Sequence, residues 1–273
     1  LYHFALGRIN ILDMPLAFLV CIAIWSGFRY FATAEKKKRW LYLLYLFSAL
    51  AFLAKGLIGI AFPFGVLTIW LLISGRWRDV FGLFSPVGIL IFSTISLPWL
   101  ILVQRENPDF FRFFFIQEQL LRYATRMHGH YEPFYFYIPI LLAGTLPWCA
   151  FLPEAIQGFG KGEKLFGSAE KRFLLTWFGL IFLFFSISSS KLISYITPVF
   201  LPLALGFGHL FRRYEERTVD GGAGATVPLR YRLMGILQAI LLMAVLVAPL
   251  FLREHRVAWE SWWPWIAAPA ASW

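Results

Sequence analysis

Asp13, Lys55 and the run Ser188 to Pro198 are the places where polar chemistry breaks into otherwise apolar sequence. Asp13 lies in GRINILDMPLAFL, at the mouth of the first apolar run. A carboxylate entering a membrane segment costs about 2.5–3.5 kcal/mol at the bilayer centre and less at the edge. A group kept at that cost suits a general base that takes the proton of an attacking hydroxyl. It equally suits a helix cap, or a partner for Arg8. Lys55, in FLAKGLIG, interrupts a hairpin of two apolar runs, and Gly56 permits the tight turn. Its ammonium is placed to steady a phosphate, or simply to snorkel and mark the turn. The run SSSKLISYITP gathers hydroxyls, Lys191, Tyr195 and a proline break between two further apolar runs. Hydroxyls and an ammonium near a helix start can hold a phosphate or a sugar. Tyr195 is also the residue an interfacial aromatic belt would supply.

The longest polar and charged stretch is Gln104 to Pro133, and it is crowded with aromatics. On a helix, Arg112, Gln119, Arg122 and Arg126 fall on one basic stripe, with Phe110, Phe113, Phe114 and Leu121 on the other side. Too polar to cross a bilayer and too apolar for water, this segment is expected to lie in the interface plane. Its guanidinium groups suit a phosphate-bearing lipid, or contact with ordinary lipid headgroups. His128 and His130 flank Gly129, with Glu132 following, but the spacing matches neither a helical pair nor a zinc signature. No metal site is assigned, and these residues are read as a polar loop cap.

The elements that must position these groups are membrane spans. Apolar residues make up 59% of the chain and aromatics 19%, and mean hydropathy is +0.67. Soluble domains use roughly 45–50% apolar residues. Apolar runs occupy 11–31, 40–54, 57–74, 81–103, 134–153, 173–189, 192–211 and 233–252, with an incomplete one from 263. They predict an all-α, polytopic integral membrane protein. Residues 1–273 read as a single transmembrane domain, and 104–133 as its extracytoplasmic interfacial segment. The opening without methionine and the ending inside an apolar run lead us to expect a piece cut at both ends. Cys21 and Cys149 both sit in apolar runs and read as packing residues.

The net charge of +10 follows from loop bias, not from a nucleic-acid partner. The connections 34–39, 75–80, 155–172 and 212–232 hold 15 of the 25 lysines and arginines, and strict alternation of spans puts all four on one side. The positive-inside bias makes that side cytoplasmic. Asp13, Lys55, 104–133 and Lys191 with Tyr195 then converge on the opposite, outer edge. A secondary transporter would place its polar residues near the midplane of paired repeats, and no repeat is visible here. A non-catalytic lipid-binding protein would need only the basic stripe.

Taken in order, the motifs form a recognisable set. They are Leu12-Asp13-Met14-Pro15-Leu16, Leu53-Ala54-Lys55-Gly56, Pro98-Trp99, Asn107-Pro108-Asp109-Phe110, Leu120-Leu121-Arg122-Tyr123 and His130-x-x-Pro133. Leu146-Pro147-Trp148 and Ser190-Lys191-Leu192-x-x-Tyr195-x-x-Pro198 complete it. The set resembles the GT-C class of lipid-linked-sugar glycosyltransferases, within the undecaprenyl-phosphate aminoarabinose transferase and protein mannosyltransferase superfamily. That resemblance implies a GT-C-type helix bundle in a bacterial inner membrane, with its site on the periplasmic face. It implies transfer of a sugar from a polyprenyl-phosphate donor to an envelope acceptor, lipid A, another glycan or protein, typically with inversion.

By the same resemblance Asp13 matches the second of two acidic catalytic residues. Lys55, Arg122, Lys191 and Tyr195 fall in motifs lining the lipid-phosphate cavity, with Arg8, Glu118 and His130 as further donor or acceptor contacts. The first acidic residue of the family would lie upstream of Leu1, so this piece alone is expected to be inactive. No cofactor is assigned, and a divalent metal stays open. Relatives of the aminoarabinose type carry Glu-His where this chain has Glu118-Gln119, which argues against a metal bridge through that histidine.

Overall fold

The computed structural model describes residues 12–33, 37–114, 132–146, 148–152 and 168–220, with isolated positions between 229 and 243. The chain divides into two compact units, Leu1–Tyr214 and Glu215–Trp273. In the second unit the described positions between Leu229 and Met243 are helical. All secondary structure among the described residues is helical, as the apolar runs require.

Helix α1 runs Asp13–Ala32 and opens on an acid in its first turn, where the helix dipole favours negative charge. Pro15 sits in the same turn, where a missing N–H removes no helical bond. Helix α2, Lys38–Lys55, ends at Gly56, which adopts φ 78° and ψ −143°, a region that favours glycine. Helix α3, Ile58–Ile73, starts two residues later. Its approach to α2 is close: a Cβ on Gly59 would stand 2.3 Å from the Phe52 backbone nitrogen. A 3₁₀ helix, Trp77–Leu83, leads to α4, Pro86–Glu106. Ser85 caps α4 by accepting the Gly88 N–H at 3.2 Å, and Pro86 occupies the first turn. Two short pieces follow, α5 at Tyr137–Gly144 and a 3₁₀ turn at Trp148–Phe151. Then come α6, Ser168–Ile187, a 3₁₀ helix at Ile193–Val199, and α7, Phe200–Asp220.

Three of these stretches are long and apolar enough to cross a membrane: Asp13–Ala32, Pro86–Glu106 and Ile193–Arg212. Helices α2 and α6 match them in scale but carry charged residues at their ends. The run 134–153 departs from the expected span. It breaks after Gly144, and the eight residues of α5 rise about 12 Å, well short of a bilayer core. The run 192–211 opens as a 3₁₀ helix containing Pro198, where a continuous span was expected. Of the expected interfacial segment 104–133, the described residues are 104–114 at its start and 132–133 at its end. There α4 stops at Glu106, and Phe110 and Phe114 stack at 5.1 Å beside Trp99. Positions 115–131 lie outside the described residues.

In the first unit α1 packs on α2, α3 and the 3₁₀ helix at Ile193–Val199, α2 packs on α4, and α3 packs on α6. Without a strong hydrophobic drive in lipid, such contacts rest on close fit and small residues. Ala23, Ala49, Ala51 and Ser48 are fully buried at these interfaces. An aromatic cluster fills the far end of the bundle, with Phe28 stacked on Phe173 at 4.2 Å and Trp70 against both. The Trp70 indole N–H finds the Ala169 carbonyl at 2.9 Å, so its burial leaves no orphan donor. Arg76 reaches the Phe31 carbonyl at 3.3 Å at this same end. The start of α1, the end of α2 and the turn after α6 therefore share the opposite end.

Candidate functional site

That opposite end holds Asp13, Lys55, Lys191 and Tyr195 from among the polar residues singled out in the sequence. Asp13 is 4% exposed, although it carries a carboxylate into the mouth of an apolar helix. Burial of a charge at such a point requires partners. Two supply them: the Lys55 ammonium pairs with Oδ1, and the Ser194 hydroxyl donates to Oδ2. The hairpin turn at Gly56 brings Lys55 there from α2, and the 3₁₀ helix brings Ser194 from 181 residues away. The Tyr195 ring lies beneath the Lys55 ammonium at 4.3 Å, a cation–π contact that further steadies the positive charge. Phe185 stands 5.2 Å from the Tyr195 ring.

These side chains line a pocket completed by Leu16, Val20, Ile58, Phe62 and Pro198. It is narrow, with room for about one water molecule. Its chemistry is a carboxylate and an ammonium at the edge of an apolar wall. Such a pair can orient a hydroxyl through the acid and attract an anion through the base.

Lys191 is buried nearby in sequence but does not line this pocket. Its ammonium donates to the Ser188 carbonyl at 2.6 Å and to the Glu132 carbonyl at 2.9 Å. Burial pushes it below the usual lysine range, and the charge of Glu132 offsets part of that shift. Tyr137 OH donates to the Leu192 carbonyl at 3.1 Å, so α5 and the turn after α6 are tied together. Ser188 closes the turn by donating to the Ser190 carbonyl at 3.1 Å.

Of the expected site residues, Asp13, Lys55 and Tyr195 come together in one pocket, and Lys191 holds the adjoining turn. Arg8, Glu118, Arg122 and His130 lie outside the described residues, as do Gln119, Arg126 and His128. Arg112 is described and exposed. Among the described residues no group of three His, Cys, Asp or Glu is placed to hold a metal ion. Sequence reasoning did not pair Asp13 with Ser194 or Lys55, nor foresee Phe62 and Phe185 as walls. The serine sat within a recognised run, but nothing local to it signals a partner 181 residues away.

Known proteins bear on this arrangement. The profile of the family described as dolichyl-phosphate-mannose-protein mannosyltransferase matches residues 1–114. The chain is 34% identical to undecaprenyl phosphate-alpha-4-amino-4-deoxy-L-arabinose arabinosyl transferase 2 of Pseudomonas fluorescens, over 89% of this chain and 42% of that protein. It is 31% identical to the corresponding transferase 1 of Proteus mirabilis, over 85% of this chain and 42% of that one. Among solved structures, ArnT from Cupriavidus metallidurans bound to undecaprenyl phosphate superposes with a TM-score of 0.67 at 30% identity. That match covers 88% of this chain and 42% of that one. The apo structure of the same protein gives a TM-score of 0.59 over 77% of this chain. The chain thus spans about two fifths of the length of the relatives it matches. In its all-helical membrane fold and in sequence, the chain is similar over the part it spans to the GT-C lipid-linked-sugar glycosyltransferases, among them the protein mannosyltransferases and ArnT.

Proposed function

We propose that the full-length protein transfers a sugar from a polyprenyl-phosphate carrier to an envelope acceptor, lipid A or another glycan, at the periplasmic face of the inner membrane. The observation that carries this reading is the buried Asp13 carboxylate, held by Lys55 and Ser194 with Tyr195 beneath the ammonium. The relatives' names and the undecaprenyl phosphate bound to the Cupriavidus protein support the donor class. The acceptor oxygen attacks the anomeric carbon, the bond from that carbon to the phosphate oxygen breaks, and the electron pair leaves with the polyprenyl phosphate. Asp13 orients the acceptor hydroxyl and takes its proton. Lys55 balances the charge that develops on the departing phosphate, and Tyr195 holds the ammonium and offers its hydroxyl. Arg122 is assigned to the phosphate on its sequence motif. Lys191 contributes through the one N–H its two carbonyl partners leave over.

Membranes containing the full-length protein, incubated with labelled undecaprenyl-phosphate aminoarabinose, test the reading by where label goes. Asp13→Asn is expected to lower transfer by about 100-fold or more while undecaprenyl phosphate still binds. Unchanged transfer would remove Asp13 from the mechanism. Absence of transfer by the wild type, with undecaprenyl phosphate still bound, would favour a lipid-binding protein without catalysis.

A further inference from the structure

The two partners of Asp13 differ in what they can do when an anion arrives. Lys55 reaches the carboxylate along a flexible four-carbon stem, and its side chain is 28% exposed. Ser194 is buried, its oxygen sits one bond beyond Cβ, and its backbone is fixed in the 3₁₀ helix packed on α1. They also act on different oxygens, Lys55 on Oδ1 and Ser194 on Oδ2. A phosphate that meets Lys55 on its exposed side, at the edge of the pocket, competes with Asp13 for its ammonium. Lys55 can follow the phosphate, and Ser194 cannot leave.

We infer that Ser194 is a positioning residue for sugar transfer. It holds the plane of the Asp13 carboxylate while Lys55 turns to the donor phosphate, so that Oδ1 is released in place to meet the acceptor hydroxyl. Donor binding then comes before acceptor engagement, because the ammonium that occupies Oδ1 is withdrawn by the donor itself. The inference rests on the transfer reaction proposed above. Beyond it, it names the group that preserves geometry at the moment the ion pair opens. A single hydroxyl suffices, since a carboxylate offers about four lone-pair sites and one fixed bond leaves the others open.

The test uses full-length protein in membranes, with labelled undecaprenyl-phosphate aminoarabinose as donor. Ser194→Ala is expected to lower kcat about tenfold, the scale of one hydrogen bond to a charged group, with donor KM within about twofold of wild type. Undecaprenyl phosphate binding, measured separately, should be unchanged. Ser194→Thr restores kcat, because it returns a hydroxyl to the same carbon, and Ser194→Cys falls between threonine and alanine as a weaker donor. A merely structural serine would give a different pattern, with kcat, KM and phosphate binding failing together and no rescue by threonine. That pattern, or wild-type kcat in Ser194→Ala, overturns the inference while transfer by the wild type keeps the proposed function intact. A wild type that transfers no sugar overturns both.

Discussion

Lys191 buries an ammonium among neutral carbonyl oxygens, and its titration reports on that environment. The unfolded chain holds this proton up to about pH 10.5, whereas burial makes the folded chain release it at lower pH. Between those two points the unfolded state binds more protons, so folding gains stability as pH rises. Below the folded value the full cost of burying the charge is present. The thermal midpoint of the wild type should therefore rise relative to that of Lys191→Met as pH is taken toward 10.5, and a gap that stays constant would contradict the burial. Asp13, Lys55 and Tyr195 were legible in the sequence because a charge or hydroxyl stands out against apolar neighbours. Their pairing was not legible. The sequence offers Asp13 as a general base, with a cap or a partner for Arg8 as the alternative; the ammonium that pairs with it comes from 42 residues on, and helix packing alone decides that.

The α2–α3 hairpin is the element that delivers Lys55. Its turn depends on Gly56, whose φ of 78° with ψ −143° is closed to residues with a side chain. Gly56→Ala is expected to cost about 1–3 kcal/mol in stability, and the strain falls beside the ammonium that must reach Asp13. Thermal unfolding of the variant checks the magnitude, and a loss below a few tenths of a kcal/mol would mean that the turn relaxes freely. The hairpin was visible in sequence because a lysine and a glycine interrupt two apolar runs. The run 134–153 was misread for a related reason: hydropathy averages over a window and does not register Gly144 and Thr145 ending a helix. The same averaging hid the 3₁₀ opening of 193–199, where Pro198 denies a backbone donor. That irregularity brings Ser194 and Tyr195 to the pocket wall, where a regular span would have set its own register.

Across the bundle, the two ends differ in kind. One end gathers Asp13, Lys55, Ser194 and Tyr195, and the other gathers Arg76 with the Phe31 carbonyl and the aromatic cluster around Trp70. The bundle fixes which residues share an end, and the excess of Lys and Arg in the connections argues which end faces the cytoplasm. An impermeant thiol reagent separates these ends experimentally. Leu57 stands exposed in the turn beside the pocket, and Arg78 lies in the 3₁₀ helix at the other end. In full-length protein with Cys21 and Cys149 replaced by serine, Leu57→Cys should label in intact spheroplasts. Arg78→Cys should label only once the membrane is opened. The reverse pattern would turn the pocket toward the cytoplasm and remove the periplasmic transfer reaction, because a donor presented at the outer leaflet could not reach Asp13.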